Sequence, residues 1–152
     1  MKAALGLGSN LGDRAAHLQL AVDGLRALGP TIVSTFHETA PVGPPQPDYL
    51  NAAAVVECAL EPEELHAYTK ELESRAQRVR TPGDRWGPRT LDVDLLLCDD
   101  RAVRTNGLVI PHPGLAERMF VLAPLVEIAA EWVVPGWERT VRELHADLRA
   151  HS

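Results

Sequence analysis

The spacing of apolar residues along the chain predicts an alternation of strands and helices. Apolar runs rich in β-branched residues predict strands over residues 2–8, 31–39, 49–60 and 90–98. Apolar positions three or four residues apart predict a helix that stops at Gly29 and a second helix that opens at Pro62. The second helix has a predicted buried face: Leu65, Thr69, Leu72 and Ala76. The resulting order β-α-β-β-α-β is the ferredoxin-like arrangement, an α+β fold in which helices back an antiparallel sheet.

Two further helices are predicted beyond this unit, within a single domain that spans residues 1–152. An apolar segment over residues 121–130 predicts the first of them, and Thr140 and Glu143 form a capping box for the second. Residues 40–48 contain four prolines, which predicts a rigid loop because proline cannot enter a central strand.

The predicted fourth strand carries two carboxylates. Side chains alternate between the two faces of a strand, so one face is apolar and requires a core. Its members are Leu91, Val93, Leu95 and Leu97. Asp92 and Asp94 project from the other face, about 7 Å apart along the strand, where they repel each other unless a cation lies between them. Such oxygen ligands suit Mg²⁺, which commonly binds one or two protein carboxylates and substrate phosphates. A solvated strand face is the alternative, but Arg85 and Arg89 just upstream favour a metal-phosphate site.

Charge restricts the partners of the chain. A net charge of −6 argues against a general nucleic-acid binder, whose footprint is basic. Against this acidic background, arginines crowd into one short stretch: Arg75, Arg78, Arg80, Arg85 and Arg89. A local basic patch on an acidic chain predicts a small anionic ligand rather than a polymer.

Cysteine use and hydropathy indicate the compartment. Cys58 and Cys98 lie in apolar runs, which predicts buried free thiols in a reducing environment. The first ten residues are too short and too quickly polar for a signal peptide, and no apolar run approaches the length of a membrane span. We therefore expect a cytoplasmic protein without membrane contact.

Three other features have a structural and a functional interpretation. The sequence GLGSNLGD lacks the Lys-Ser/Thr ending of a phosphate loop and predicts a strand-to-helix turn. His112, between two prolines, is either a structural residue or a ligand contact. Tyr49 and Phe120 are either core residues or, with their polar neighbours, a slot for a flat heterocycle.

The chain resembles the 6-hydroxymethyl-7,8-dihydropterin pyrophosphokinase family over essentially its whole length. The matching segments are GSNLGD at 8–13, PVGPPQPDYLNAA at 41–53, RVR at 78–80, RWGPRTLDVDLLL at 85–97 and PHPGLAERMFVLAPL at 111–125. The last two blocks, in this order, are highly specific. The resemblance implies a ferredoxin-like fold and transfer of pyrophosphate from ATP to the pterin hydroxymethyl group, with release of AMP, in folate biosynthesis.

The resemblance also implies roles for individual residues. Asp92 and Asp94 correspond to the ligands of two Mg²⁺ ions and, with Arg78 and Arg89, to the catalytic group. The implied pterin contacts are Thr39, Ala40, Val42, Tyr49, Asn51, Trp86, Asp92 and Phe120. Within this set Asn51 binds the polar edge of the ring, and Tyr49 and Phe120 sandwich it. The implied ATP contacts are Glu73, Arg85, Trp86, Ile110, His112 and Arg118. The segment 78–89, with Pro82-Gly83 as a hinge, corresponds to a lid over the triphosphate.

Some positions depart from the family pattern. Lys70, Gly107 and Val109 replace residues that help to hold the nucleotide in relatives, which affects the expected recognition of adenosine rather than the chemistry.

Two other functions are compatible with the acidic pair Asp92 and Asp94: a Mg²⁺-dependent phosphohydrolase and a non-catalytic pterin or nucleotide sensor. The presence of Asp92, Asp94, Arg89 and His112 argues against the sensor. We expect a monomer that binds two small molecules and neither nucleic acid nor membrane.

Overall fold

The computed structural model describes residues 1–40, 45, 47–77, 90–105 and 107–151. The first half of the chain forms β1 (Lys2–Ser9), α1 (Arg14–Arg26), β2 (Thr31–Val33), β3 (His37–Thr39), β4 (Tyr49–Glu57) and α2 (Pro62–Gln77). The second half forms β5 (Asp92–Cys98), β6 (Val103–Thr105), β7 (Leu108–Ile110), a 3₁₀ helix (Leu115–Glu117), α3 (Met119–Ala129), β8 (Val133–Val134), β9 (Arg139–Thr140) and α4 (Val141–Ala150). In the part of the chain that the structure describes, no helix is long and apolar enough to cross a membrane.

The main sheet has the predicted topology. β5, β1, β4 and β2 lie side by side in this order, and β3 also pairs with β4. All of these pairs are antiparallel. With β2 and β3 as two parts of the predicted second strand, this is the ferredoxin-like order, so the α+β prediction is confirmed.

Apolar side chains cover both faces of this sheet. On one face Leu5 of β1 is fully buried with Leu18 of α1 and Leu72 of α2. On the other face Ala4 packs with Leu122 of α3 and the neighbouring residues of α4. Full burial of a large apolar side chain contributes about 1.5–3 kcal/mol, so these two clusters hold the helices on both sides of the sheet.

The prediction of one continuous strand over residues 31–39 is wrong, because one extra residue interrupts the edge of the sheet. The pairs Val33–Ala54 and His37–Asn51 are four residues apart on the edge strand but three apart on β4. Ser34 occupies the interruption, where its N–H donates to the Ala53 carbonyl and its hydroxyl accepts from the Ala53 N–H, both at 2.9 Å. The sheet therefore continues past a bulge rather than ending there.

The predicted apolar face of the fourth strand is also wrong at one position, Leu97. The register of β5 against β1 shifts between the pairs Leu5–Leu95 and Ala4–Leu97, which is a bulge. Leu91, Val93 and Leu95 share one buried face as predicted, and this face packs on the α1 and α2 side of the sheet. Beyond the shift, Leu96 and Leu97 are both buried on the α3 and α4 side.

Several local predictions are confirmed. The buried positions of α2 include all those predicted: Leu65, Thr69, Leu72 and Ala76. Thr140 and Glu143 form the capping box at the start of α4. Cys58 and Cys98 are buried and free.

Candidate functional site

A pocket of about 440 Å³ opens between the main sheet and the start of α3. Gly6 and Gly8 of β1 lie at its floor. Further along the same face of β1, Ala4 is fully buried in the core with α3 and α4. Because Gly6 and Gly8 carry no side chains, the space that the core fills at Ala4 stays open here.

The two carboxylates of β5 line this pocket beside the glycines. Asp92 pairs with Gly8 and Asp94 pairs with Gly6, so both acidic side chains flank the open floor. Val93 between them is buried on the opposite face of the sheet. Within the described ranges, no cluster of three or more His, Cys, Asp or Glu side chains forms a metal cage. Two adjacent carboxylates fit Mg²⁺, because this ion takes its remaining ligands from phosphates and water.

Glu73 of α2 fixes the backbone between the two carboxylates. Its Oε2 accepts a hydrogen bond from the Val93 N–H at 2.8 Å. Its Oε1 lies 3.3 Å from the ammonium nitrogen of Lys70, which is mostly exposed. Glu73 thus joins α2 to the strand from which Asp92 and Asp94 project.

On the other side of the pocket, the start of β4 presents an amide and an aromatic ring. Asn51 is 5% exposed, and its Nδ2 donates to the Thr39 hydroxyl at 2.6 Å. A Cβ built on Gly8 would lie 3.0 Å from Asn51 Oδ1 and 3.6 Å from Tyr49 Cδ1. The absence of a side chain at Gly8 therefore lets the Asn51 amide and the Tyr49 ring reach the pocket.

A loop before α3 holds an imidazole and a guanidinium near Asp94. The Gly114 N–H donates to His112 Nδ1 at 3.0 Å, so a neutral His112 carries its proton on Nε2. Burial lowers the pKa of His112, and the charge of Arg118 lowers it further, while Asp94 opposes both. The Arg118 guanidinium lies 6.0 Å from the centre of the Phe120 ring. A Cβ at Gly114 would come within 2.7 Å of Arg118 Nε, so any other residue there would require the Arg118 side chain to shift.

The pocket brings together most of the described residues that the sequence assigned to a site. Its lining includes Thr39, Ala40, Tyr49, Asn51, Asp92, Asp94, Arg118 and Phe120. Glu73, Ile110 and His112 are not among its described lining residues. The Ile110 side chain is buried in the core, so only its backbone is available to a ligand. Val42, Arg78, Arg85, Trp86 and Arg89 lie outside the described residues.

Sequence reasoning missed several residues that shape the pocket. Gly6 and Gly8 were detectable in principle, because glycine inside a strand often marks a close approach of another group. Glu117 also lines the pocket without having been predicted. Asn10 and Arg14 secure the chain just before Tyr49: the Asn10 amide donates to the Pro47 carbonyl at 3.1 Å. Arg14 donates to the Asp48 carbonyl and pairs with Glu38, both at 2.9 Å. GLGSNLGD is a strand-to-helix turn, as predicted.

Comparison with known sequences identifies a family that the chain matches over most of its length. The family model described as 7,8-dihydro-6-hydroxymethylpterin-pyrophosphokinase matches residues 4–130. A 2-amino-4-hydroxy-6-hydroxymethyldihydropteridine pyrophosphokinase of Methylorubrum extorquens is 43% identical over 151 residues, covering 97% of this chain and 93% of the relative. The protein of the same name from Bacillus subtilis is 44% identical over 131 residues, covering 84% of this chain and 77% of the relative.

Comparison with solved structures supports the same fold. The crystal structure of wild-type Plasmodium falciparum HPPK-DHPS with SDX-DHP matches with a TM-score of 0.77 at 14% identity. The match covers 99% of this chain but 44% of the Plasmodium chain. Our chain thus spans less than half of that protein, and the likeness concerns the fold alone.

Proposed function

The chain belongs to the 7,8-dihydro-6-hydroxymethylpterin-pyrophosphokinase family, and we propose that the pocket above Gly6 and Gly8 is where it transfers pyrophosphate from ATP to the pterin. The observation that carries this proposal is the position of Asn51 and Tyr49 opposite Asp92 and Asp94 across these glycines. One side of the pocket suits a flat polar ring, and the other suits a metal-bound phosphate.

We propose that the pterin lies between Tyr49 and Phe120 with its polar edge on Asn51. The Asn51 Nδ2 group donates to Thr39, which leaves Oδ1 directed toward the space above Gly8. An acceptor at this position matches the N–H groups of a pterin ring. Thr39, Ala40 and Val42 complete the edge through their backbone, as the resemblance implies.

Asp92 and Asp94 would hold two Mg²⁺ ions, each completed by phosphate oxygens and water. Bound Mg²⁺ would neutralise the charge of the triphosphate and align the attacking and leaving oxygens. Glu73 keeps the strand in place through Val93, so the two carboxylates have a defined spacing before any ligand binds. A preorganised site of this kind costs less reorganisation during phosphoryl transfer.

In the proposed reaction, the hydroxymethyl oxygen of the pterin bonds to the β-phosphorus of ATP. The bond from that phosphorus to the oxygen bridging to the α-phosphate breaks, AMP leaves with this oxygen, and the hydroxyl proton passes to water. His112 Nε2–H and the Arg118 guanidinium donate to phosphate oxygens, and Ile110 contacts the nucleotide through its backbone. Arg78, Arg85, Trp86 and Arg89 are proposed, from sequence alone, to contact the phosphates and cover the ring.

One assay tests this function. The protein is incubated with ATP, Mg²⁺ and 6-hydroxymethyl-7,8-dihydropterin, and the nucleotides and pterins are separated. We expect AMP and the pterin diphosphate in equal amounts, and no AMP when the pterin is omitted. ADP or phosphate without the pterin would instead indicate a phosphohydrolase, and binding without AMP would indicate a sensor.

A matched pair of variants connects the activity to the pocket. Asp94→Asn should abolish AMP formation, whereas Asp100→Asn makes the same chemical change just beyond the other end of β5 and should have no effect. Equal loss in both variants would argue against the proposed metal site.

We further propose that residues 1–152 form one domain, that the protein is cytoplasmic and that it is a monomer. Sedimentation at working concentration would test the monomeric state.

A further inference from the structure

Glu127 of α3 forms a bridge to the bulged edge of the sheet. Its Oε1 accepts a hydrogen bond from the Thr35 N–H at 2.8 Å, and its Oε2 accepts from the Thr35 hydroxyl, also at 2.8 Å. The same Oε2 lies 2.5 Å from His37 Nε2. We call Glu127, Thr35 and His37 the edge bridge. Three donors thus converge on one carboxylate: the Thr35 N–H, the Thr35 hydroxyl and the His37 ring nitrogen.

Glu127 lies on the same side of α3 as Phe120, an aromatic residue that lines the pocket. Phe120 lines the pocket in the first turn of α3, and Glu127 follows seven residues later. Residues seven apart return to the same side of a helix after two turns. A contact made by Glu127 therefore fixes how the Phe120 stripe of the helix faces the sheet.

The strand that Glu127 contacts, β3, pairs with β4, which presents the opposite side of the pocket. His37 of β3 pairs directly with Asn51 of β4, and Thr39 pairs with Tyr49. Thr39 also holds the Asn51 amide at 2.6 Å. The edge bridge thus joins the element that presents Phe120 to the strands that present Tyr49 and Asn51.

The charge state of Glu127 suits this role. Partial burial raises the pKa of its carboxyl group, but hydrogen bonds from Thr35 and His37 lower the pKa more strongly. The carboxylate is therefore ionised at neutral pH and accepts charge-assisted hydrogen bonds, which are stronger than neutral ones.

From this arrangement we infer that Glu127 is a positioning residue of the pterin slot, which sets the separation between Phe120 and the Tyr49–Asn51 wall through the edge bridge. The inference rests on the proposed pterin role of the pocket. Glu127 itself is not among the described lining residues, so its effect on the ligand would be indirect.

The test compares Glu127→Ala with Glu131→Ala. Glu131, just beyond the end of α3, pairs with Arg142 of α4 rather than with the sheet, so it is a matched loss of one carboxylate contact. Equilibrium titrations give the Kd of 6-hydroxymethyl-7,8-dihydropterin and of ATP, and steady-state assays give kcat and KM. In Glu127→Ala we expect the pterin Kd and KM to rise about tenfold while ATP Kd and kcat change little. Glu131→Ala should leave all four unchanged, and Glu127→Gln, which keeps an acceptor for the Thr35 N–H, should recover part of the loss.

A double-mutant cycle separates positioning from general structure. If Glu127 acts through Phe120, its substitution should cost little further pterin affinity in a Phe120→Ala background. Additive losses, or equal weakening of pterin and ATP binding, would overturn the inference while leaving the proposed function intact. Failure of the unsubstituted protein to bind the pterin would overturn the proposed function, and the inference with it.

Discussion

Glu73 accepts a 2.8 Å hydrogen bond from the backbone N–H of Val93, the residue that separates Asp92 from Asp94. A side chain of α2 thereby binds the backbone of β5, the strand that carries both carboxylates. The contact is independent of any ligand, because both partners belong to the folded chain. The spacing of Asp92 and Asp94 therefore depends on how α2 packs against β5.

The first prediction follows from this contact. Glu73→Ala leaves the Val93 N–H without its acceptor, which costs about 1–3 kcal/mol of unfolding free energy when the group is buried. We expect this loss in urea unfolding, together with a higher Mg²⁺ concentration for half-maximal AMP release. Glu73→Gln keeps a carbonyl acceptor and should recover most of both. Lys70→Ala, which removes only the exposed partner of Glu73, should change neither.

The second prediction concerns the carboxylates themselves. Asp92→Ala and Asp94→Ala should each abolish transfer, because the loss of a metal ligand removes several kcal/mol of charge stabilisation from the transition state. Both side chains line the pocket rather than the core, so far-UV circular dichroism should be unchanged. Near-normal turnover in either variant would contradict a metal site built on this pair.

The sequence predicted the order of the strands and helices because each element carries its own periodic pattern. It did not predict where that pattern breaks. The run Leu95-Leu96-Leu97 contains no polar residue, so alternation gives no sign of the bulge that turns Leu97 to the other face. The short hairpins β6–β7 and β8–β9 also passed unnoticed, since strands of two or three residues have too few positions to show a period.

In the candidate site, too, the sequence predicts some residues and gives no sign of others. Asp92, Asp94, Asn51 and Phe120 could be assigned because their chemistry stands out against their surroundings and matches a family pattern. Gly114 could not, because its contribution is the space it leaves for Arg118 and the N–H it gives to His112. Such contributions arise from three-dimensional contacts that no single residue type reveals.

The third prediction uses the two glycines at the pocket floor. Gly8→Ala places a methyl group 3.0 Å from Asn51 Oδ1, so the amide must move. At Gly6 the same methyl group would meet Leu96 at 3.7 Å, an ordinary contact. We expect the pterin Kd to rise about tenfold in Gly8→Ala and less in Gly6→Ala, with similar melting temperatures.

A second background checks the cause of this effect. Asn51→Ala alone should weaken pterin binding, since the polar edge of the ring loses a partner worth about 1–3 kcal/mol, and ATP affinity should barely move. In that background, Gly8→Ala should have a much smaller effect, because there is no amide left to displace. An undiminished effect would mean that the methyl group itself obstructs the ligand.

The fourth prediction concerns the buried thiols. Burial, with a smaller contribution from Asp99, raises the pKa of Cys98 to about 12. Because the thiolate is the nucleophile, Cys98 should be almost inert toward a disulfide reagent at pH 8. The experiment uses a Cys58→Ala variant, in which Cys98 is the only cysteine, with and without denaturant. Rapid labelling of the native protein would contradict the burial of Cys98.

The fifth prediction concerns His112 and pH. Burial lowers the pKa of His112 below its ordinary value of 6.5, so between these two values the unfolded chain binds a proton that the folded protein does not. The free energy of unfolding therefore rises with pH through this window and falls as the pH drops below 6.5 toward the folded pKa.

A variant that cannot titrate tests this dependence. His112→Asn keeps an acceptor near the position of Nδ1 for the Gly114 N–H but cannot take up a proton. We expect the unfolding free energy of the parent protein to fall more between pH 7.5 and pH 5 than that of the variant. His145, whose pKa burial also lowers, is present in both proteins and cancels in the comparison. An equal pH dependence in the two proteins would show that His112 titrates alike in the folded and unfolded states.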